Sequence, residues 1–141
     1  MSEVTSAPDI GALEIPTDAW TQPFWDAAAK RDLLLPRCGD CGRFRWPPGP
    51  FCPACQSQSV QWVAPGAARI YSYTVLREPA GEDGRPSRTI APALVEFADA
   101  DGVRLLGAIV DTALDDIRVG AEVTVQWSPA GETAVPVFRV T

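Results

Sequence analysis

Cys38-Gly39-Asp40-Cys41-Gly42-Arg43-Phe44-Arg45-Trp46-Pro47-Pro48-Gly49-Pro50-Phe51-Cys52-Pro53-Ala54-Cys55 is the stretch on which the fold turns. It holds two Cys-x-x-Cys pairs separated by ten residues. Each pair forms a turn that lets two sulfurs approach one ion from the same side, with backbone amides directed at the thiolates. Two such knuckles complete a tetrahedron. Four protein sulfurs leave no position for water, so Cys38, Cys41, Cys52 and Cys55 are expected to hold one structural zinc and to perform no metal-centred hydrolysis. Folding of this segment is therefore expected to be coupled to metal binding, with an apparent energy on the order of 10 kcal/mol or more.

The knuckles also resemble those of rubredoxins, where the ion is iron and the role is electron transfer, and sulfur cages discriminate weakly between the two metals. Zinc remains the expected ion, because no second redox centre or flavin motif accompanies the cysteines. Disulfides are the other use of four cysteines. The N-terminus, MSEVTSAPDIGALEIP, has no basic region followed by an apolar core, and no run of about 18 uncharged apolar residues exists. That predicts neither export nor a membrane span, hence a cytoplasmic protein in a reducing compartment that favours metal thiolates.

Outward from the cysteines, 14 prolines and 11 glycines in 141 residues imply turns and short elements rather than long helices. Residues 1–20 mix small, acidic and proline residues without a period and read as an extended or poorly ordered arm. Thr21-Gln22-Pro23-Phe24-Trp25-Asp26-Ala27-Ala28-Ala29-Lys30-Arg31 follows. A capping threonine, a proline in the first turn, an early acid and late bases predict a helix. Phe24, Trp25 and Ala28 share one face of it, and Leu33-Leu34-Leu35 leads as an extended segment into Cys38. Those aromatics must either pack on the ribbon and barrel or be donated to another subunit. Helix and ribbon together occupy 21–64.

Beyond Trp62 the pattern alternates with period two. Strands are predicted over 68–76, 92–97, 103–110, 123–127 and 135–140, with a hairpin at Ala98-Asp99-Ala100-Asp101-Gly102. Leu114 to Gly120 reads as a short turn or helical fragment. Five short strands with an insert between the third and fourth predict an OB-fold barrel over 65–141. The long loop after its first strand, Glu78 to Thr89, is a candidate binding loop.

Cys38-Gly39-Asp40-Cys41-Gly42, Trp46-Pro47-Pro48, Cys52-Pro53-Ala54-Cys55, Ile70-Tyr71-Ser72-Tyr73-Thr74-Val75, Gly120-Ala121-Glu122-Val123 and Pro136-Val137-Phe138-Arg139 together resemble the acyl-CoA-associated zinc-ribbon/OB-fold family, also called domain of unknown function thirty-five. The resemblance runs in order through residues 22–141. It implies a mainly β protein: an N-terminal helix and rubredoxin-like ribbon, then a five-stranded OB barrel. It further implies an accessory role beside thiolase-like enzymes and lipid-transfer-type aldolases, including retro-aldolases that shorten steroid side chains as CoA thioesters. The catalytic groups lie on the partner, and a two-plus-two heterotetramer with acyl-CoA at the shared interface is expected. Family members often follow the two prolines with a basic residue, whereas this chain has Gly49-Pro50. Arg45, Arg77, Arg85 and Arg88 are the candidates for CoA phosphates, since guanidinium pairs with phosphate in a forked geometry. Phe24, Trp25, Trp46 and Phe51 are the candidate partner anchors, aromatics being usual at interface hot spots.

Two other function classes fit the residues less well. A formal charge of −6 disfavours phosphate backbones, and residues 69–141 hold seven arginines against eleven acids, which weighs against a single-stranded nucleic-acid barrel. An autonomous enzyme lacks the commonest general base, since no histidine is present. Its carboxylates Asp83, Asp99, Asp101, Asp115 and Asp116 fall in predicted turns, where aspartate serves loop geometry.

Overall fold

The structure is a computed structural model that describes residues 3–141; Met1 and Ser2 of the predicted arm lie outside the described residues. Helix α1 spans Gln22–Ala29, and β1 (Leu35–Cys38) pairs antiparallel with β2 (Val60–Val63) to make the ribbon. The barrel strands are β3 (Ala68–Tyr73), β4 (Leu76–Glu78), β5 (Arg88–Phe97), β6 (Ala100–Ile109), β7 (Glu122–Ala130) and β8 (Thr133–Val140). One 3-10 turn, Leu114–Asp116, fills the insert after β6.

Neighbouring strands run β3-β7-β8-β6-β5, and β3 also pairs with β5, so five strands close on themselves. Closure needs one parallel contact, made where Ile109 faces Phe138 between β6 and β8. That ring is the expected five-stranded OB barrel. The predicted first strand, 68–76, is split: a bulge at Ile70/Ser72 bends β3, and the chain resumes as β4, still paired to β5. Strands β5 and β6 are longer than predicted because the alternation continues through residues the apolar pattern left out. The predicted hairpin loop is tighter than expected. Its turn is Ala98-Asp99, while Asp101-Gly102 sits in an irregularity of β6 where the register jumps from Glu96↔Arg104 to Phe97↔Ala100.

Ile70, Ala93, Val95, Phe97, Leu105, Ile109, Val123 and Phe138 fill the barrel, all at or below 6% exposure. Phe97 and Phe138 meet at 6.4 Å and 59°, a favoured tilted arrangement. Gly107 makes room for this: a Cβ there would stand 2.9 Å from the Phe138 ring. Helix α1 lies on the barrel through Phe24, buried and in the same core as Leu35 of the ribbon, with Trp46 and Trp62 packed against it. Helix, ribbon and barrel therefore share one apolar cluster.

The predicted helix signals need two corrections, one at each end. Thr21 precedes the helix without a side-chain cap; Asp18 organises the turn instead, its carboxylate accepting from the amides of Trp20 (3.0 Å) and Thr21 (2.8 Å). Those amides pull the Asp18 carboxyl below its usual range, Thr21 first. At the far end Arg31, at φ +65°, folds back to donate to the Ala28 and Ala29 carbonyls, satisfying acceptors that the last helical turn leaves over.

The arm is extended, and it is pinned rather than loose. The Thr5 amide donates to Thr112 and the Asp111 amide to Thr5, each at 2.9 Å, while the Ser6 amide donates to Thr89 at 2.9 Å. Thr5 is 1% exposed and its hydroxyl donates to the Thr112 carbonyl. Farther along, Ala7 covers Ala108, Val110 and Val137 on the outside of the barrel.

Candidate metal centre

β1 delivers Cys38, and the chain then turns so that the Gly42 amide donates back to the Cys38 carbonyl at 3.0 Å. The second knuckle repeats the device, with the Gln56 amide donating to Cys52 at 2.8 Å. Both turns end in the left-handed region, Gly42 at φ +79° and Gln56 at φ +64°. Ser57 joins the two turns by donating its hydroxyl to the Asp40 carboxylate, and the Ser59 amide donates to that hydroxyl at 3.0 Å.

All four sulfurs lie within 4.8 Å of one another, with Cys38–Cys55 and Cys41–Cys52 each at 3.6 Å. A zinc ion at about 2.3 Å from each sulfur requires tetrahedral edges of about 3.8 Å, so the cage fits. Cys38 and Cys52 are buried, Cys41 and Cys55 exposed, so an ion held by all four would lie between an inner and an outer pair.

The backbone has prepared this cage for negative charge. The amides of Cys41 and Asp40 lower the Cys38 pKa to about 6, the Cys41 nitrogen standing 3.5 Å from its sulfur. The amides of Cys55 and Ala54 lower that of Cys52. At Cys55 the Ser57 amide also favours the thiolate. The thiols of Cys38, Cys41 and Cys52, together with burial, outweigh it and push Cys55 up to about 12. Four thiols at this spacing cannot all ionise against one another; a divalent cation removes that obstacle and takes up every sulfur.

The structure separates the other predicted site residues. Phe24 is 3% exposed and belongs to the core, stacked edge-on to Trp25 at 4.8 Å and tilted on Trp46 at 5.0 Å; it is not a surface anchor. Trp25 and Trp46 are half-buried around it, and Phe51 is 56% exposed. Sequence reasoning missed Trp20, 48% exposed, and the outer barrel residues Tyr71 and Leu106. Arg104 lies over the Tyr71 ring at 3.8 Å.

Arg77, Arg85 and Arg88 gather at the loop 79–87, shorter than the predicted one because its ends are absorbed into β4 and β5. Each is ion-paired: Arg77 with Glu3 (3.1 Å), Arg85 with Asp83 (3.2 Å) and Arg88 with Glu78 (2.6 Å). Arg45 stands apart from them, 6% exposed in the segment between the knuckles.

Comparison with known proteins agrees with this arrangement. Residues 25–61 match the family described as the ChsH2 rubredoxin-like zinc ribbon domain, and residues 62–128 the ChsH2 C-terminal OB-fold domain. A solved chain titled "Ltp2-ChsH2(DUF35) aldolase" is 35% identical with a TM-score of 0.73, covering 90% of this chain and 98% of that one. A DUF35-family structure of unknown function from Sulfolobus solfataricus shares the fold at 19% identity and a TM-score of 0.63, covering 89% and 87%.

Among curated proteins, a probable enoyl-CoA hydratase alpha subunit of Thermomonospora curvata is 39% identical over 82% of this chain. The match spans only 36% of that longer protein. A DUF35 domain-containing scaffold protein of Methanocaldococcus jannaschii is 28% identical over 64% of each chain. The four cysteines of this zinc ribbon hold one zinc ion, and the chain belongs to the ChsH2 (DUF35) family, in which a rubredoxin-like zinc ribbon is joined to an OB-fold barrel.

Proposed function

We propose that this chain is a non-catalytic cytoplasmic subunit that docks on a thiolase-fold acyl-CoA enzyme, stabilises it and helps form its acyl-CoA channel. A steroid side-chain retro-aldolase or a thiolase is the class of partner envisaged. The observation that carries the reading is the match along nearly the whole length of a chain in a solved aldolase. The metal chemistry agrees: a cage saturated by four thiolates has no open position for substrate or water.

Exposed Phe51, with Trp25 and Trp46 at half-burial, offers aromatic contact area beside the ribbon. Arg77, Arg85 and Arg88 are the side chains proposed for CoA phosphates. The Arg77 and Arg85 pairs are solvent-exposed, so a phosphate displaces their carboxylates at small cost, whereas Arg88 is more enclosed and gives two bonds to Glu78. Thiolase-fold enzymes being dimers, the proposed assembly has two catalytic chains and two of these. The nucleic-acid reading gains nothing from the structure, since four of the barrel's seven arginines are already paired with acids.

The test is co-expression with a thiolase-fold subunit encoded beside it, followed by affinity capture, mass determination of the complex, and acyl-CoA cleavage with and without this chain. Capture, a two-plus-two mass and turnover only in the complex are expected, with F51A weakening capture while leaving the isolated chain folded. Absence of capture together with acyl-CoA turnover by the isolated chain would overturn the proposal.

A further inference from the structure

Arg45 is 6% exposed, and neither its Nε nor its Nη1 has a hydrogen-bond partner. These two nitrogens carry three of the five N–H donors of the guanidinium. The other arginines first considered for anion contact, Arg77, Arg85 and Arg88, all have carboxylate partners. Among the described residues no carboxylate lies within ion-pair distance of Arg45.

The residue is fixed in place rather than adrift. Its amide donates to the Pro36 carbonyl at 3.0 Å, Phe44 bridges Arg37 on β1, and Phe44 and Trp46 on either side pack against the core. The backbone therefore holds the base of this side chain beside the ribbon's most buried strand. Two guanidinium nitrogens kept out of water without an acceptor are unfavourable, and native folds relieve such groups by supplying one.

We propose that Arg45 is the receptor of an oxyanion site in the zinc ribbon, and that a carboxylate or phosphoryl group from outside this chain completes it. Both groups carry several acceptor oxygens, which can take the Nε and Nη1 donors from their separate edges of the guanidinium plane, each edge being shared with Nη2. A carboxylate would come from a side chain of a bound protein, and a phosphoryl group from a free or ligand-borne phosphate. The site is built from this ribbon's own residues, so it stands or falls independently of the partner-subunit reading.

The experiment uses the zinc-loaded full chain, labelled with nitrogen-15, and follows the Arg45 Nε–H resonance, assigned by its loss in R45K. Sodium phosphate and sodium acetate are titrated separately at constant ionic strength against chloride. The expected result is a saturable shift of that resonance with slowed hydrogen exchange, together with a rise in melting temperature that chloride does not produce. Preference for acetate identifies a carboxylate ligand, and preference for phosphate a phosphoryl one. In R45M the anion-dependent rise disappears, and melting without anion is at or above the wild-type temperature, because two buried nitrogens without acceptors have been removed. Absence of any saturable shift up to tens of millimolar of either anion overturns the proposal, as does an equal anion-dependent rise in R45M. Should R45M fail to fold, the wild-type resonance titration decides alone.

Discussion

Replacing Phe24 by alanine tests whether the helix, ribbon and barrel are one cooperative unit. A phenylalanine buries on the order of 200 Å², and at about 25 cal/mol per Å² its loss removes about 5 kcal/mol of burial, an upper bound set by an extended unfolded chain. Phe24 is 3% exposed, so nearly all of that applies. Measured phenylalanine-to-alanine costs in cores, about 3–5 kcal/mol, bracket the same value. The helix has eight residues and does not persist without its packing, since isolated helices shorter than about 12 residues are marginal. Against a total stability of about 5–15 kcal/mol, F24A should leave the chain close to its unfolding threshold. Urea unfolding followed by tryptophan fluorescence reads the site directly, because Trp25 and Trp46 are the two ring neighbours of Phe24. A shared transition by fluorescence and far-ultraviolet dichroism, shifted by about 3–5 kcal/mol, is expected. A loss below about 1 kcal/mol, the scale of a surface substitution, would refute the reasoning and return Phe24 to the surface.

Three further outcomes follow from the ribbon and the arm. Without the ion the ribbon is unfolded and its four thiols keep ordinary pKa values of about 8.5. Zinc binding at pH 7, followed calorimetrically in buffers of different ionisation enthalpy, should therefore release close to four protons per ion, and a value near zero would contradict thiolate ligation. G42A should cost about 1 kcal/mol, read by thermal unfolding, because its Cβ enters open space and only the left-handed φ of +79° is penalised. T5V strands a buried hydroxyl bond to Thr112 and should cost about 1–2 kcal/mol in urea, with faster hydrogen exchange at the Asp111 and Thr112 amides.

The metal centre was legible because ligand chemistry is written in residue identity: four cysteines in two tight pairs permit few arrangements. The barrel was legible because residues such as Val95, Phe97 and Leu105 alternate with polar ones along strands that have one face buried. The arm was not legible, since it is held by backbone bonds from Thr5 and Ser6, and peptide groups carry no sequence signature. The helix entry could have been found: Asp18 stands three residues before Thr21, and an aspartate in that position readily accepts from amides downstream. The break between β3 and β4 depends on a bulge that no residue type announces. Exposure was the weakest inference. Phe24 and Phe51 look alike in sequence, yet one closes the helix–ribbon junction and the other faces solvent, a difference fixed by how the knuckles fold back.

The most direct measurement of the central claim is X-ray absorption at the zinc edge on the purified chain, paired with elemental analysis. One zinc per chain and a first shell of four sulfurs at about 2.3 Å, with no oxygen or nitrogen, is the predicted result. A water oxygen in that shell, or a stably folded ribbon containing no tetrathiolate ion, would contradict it.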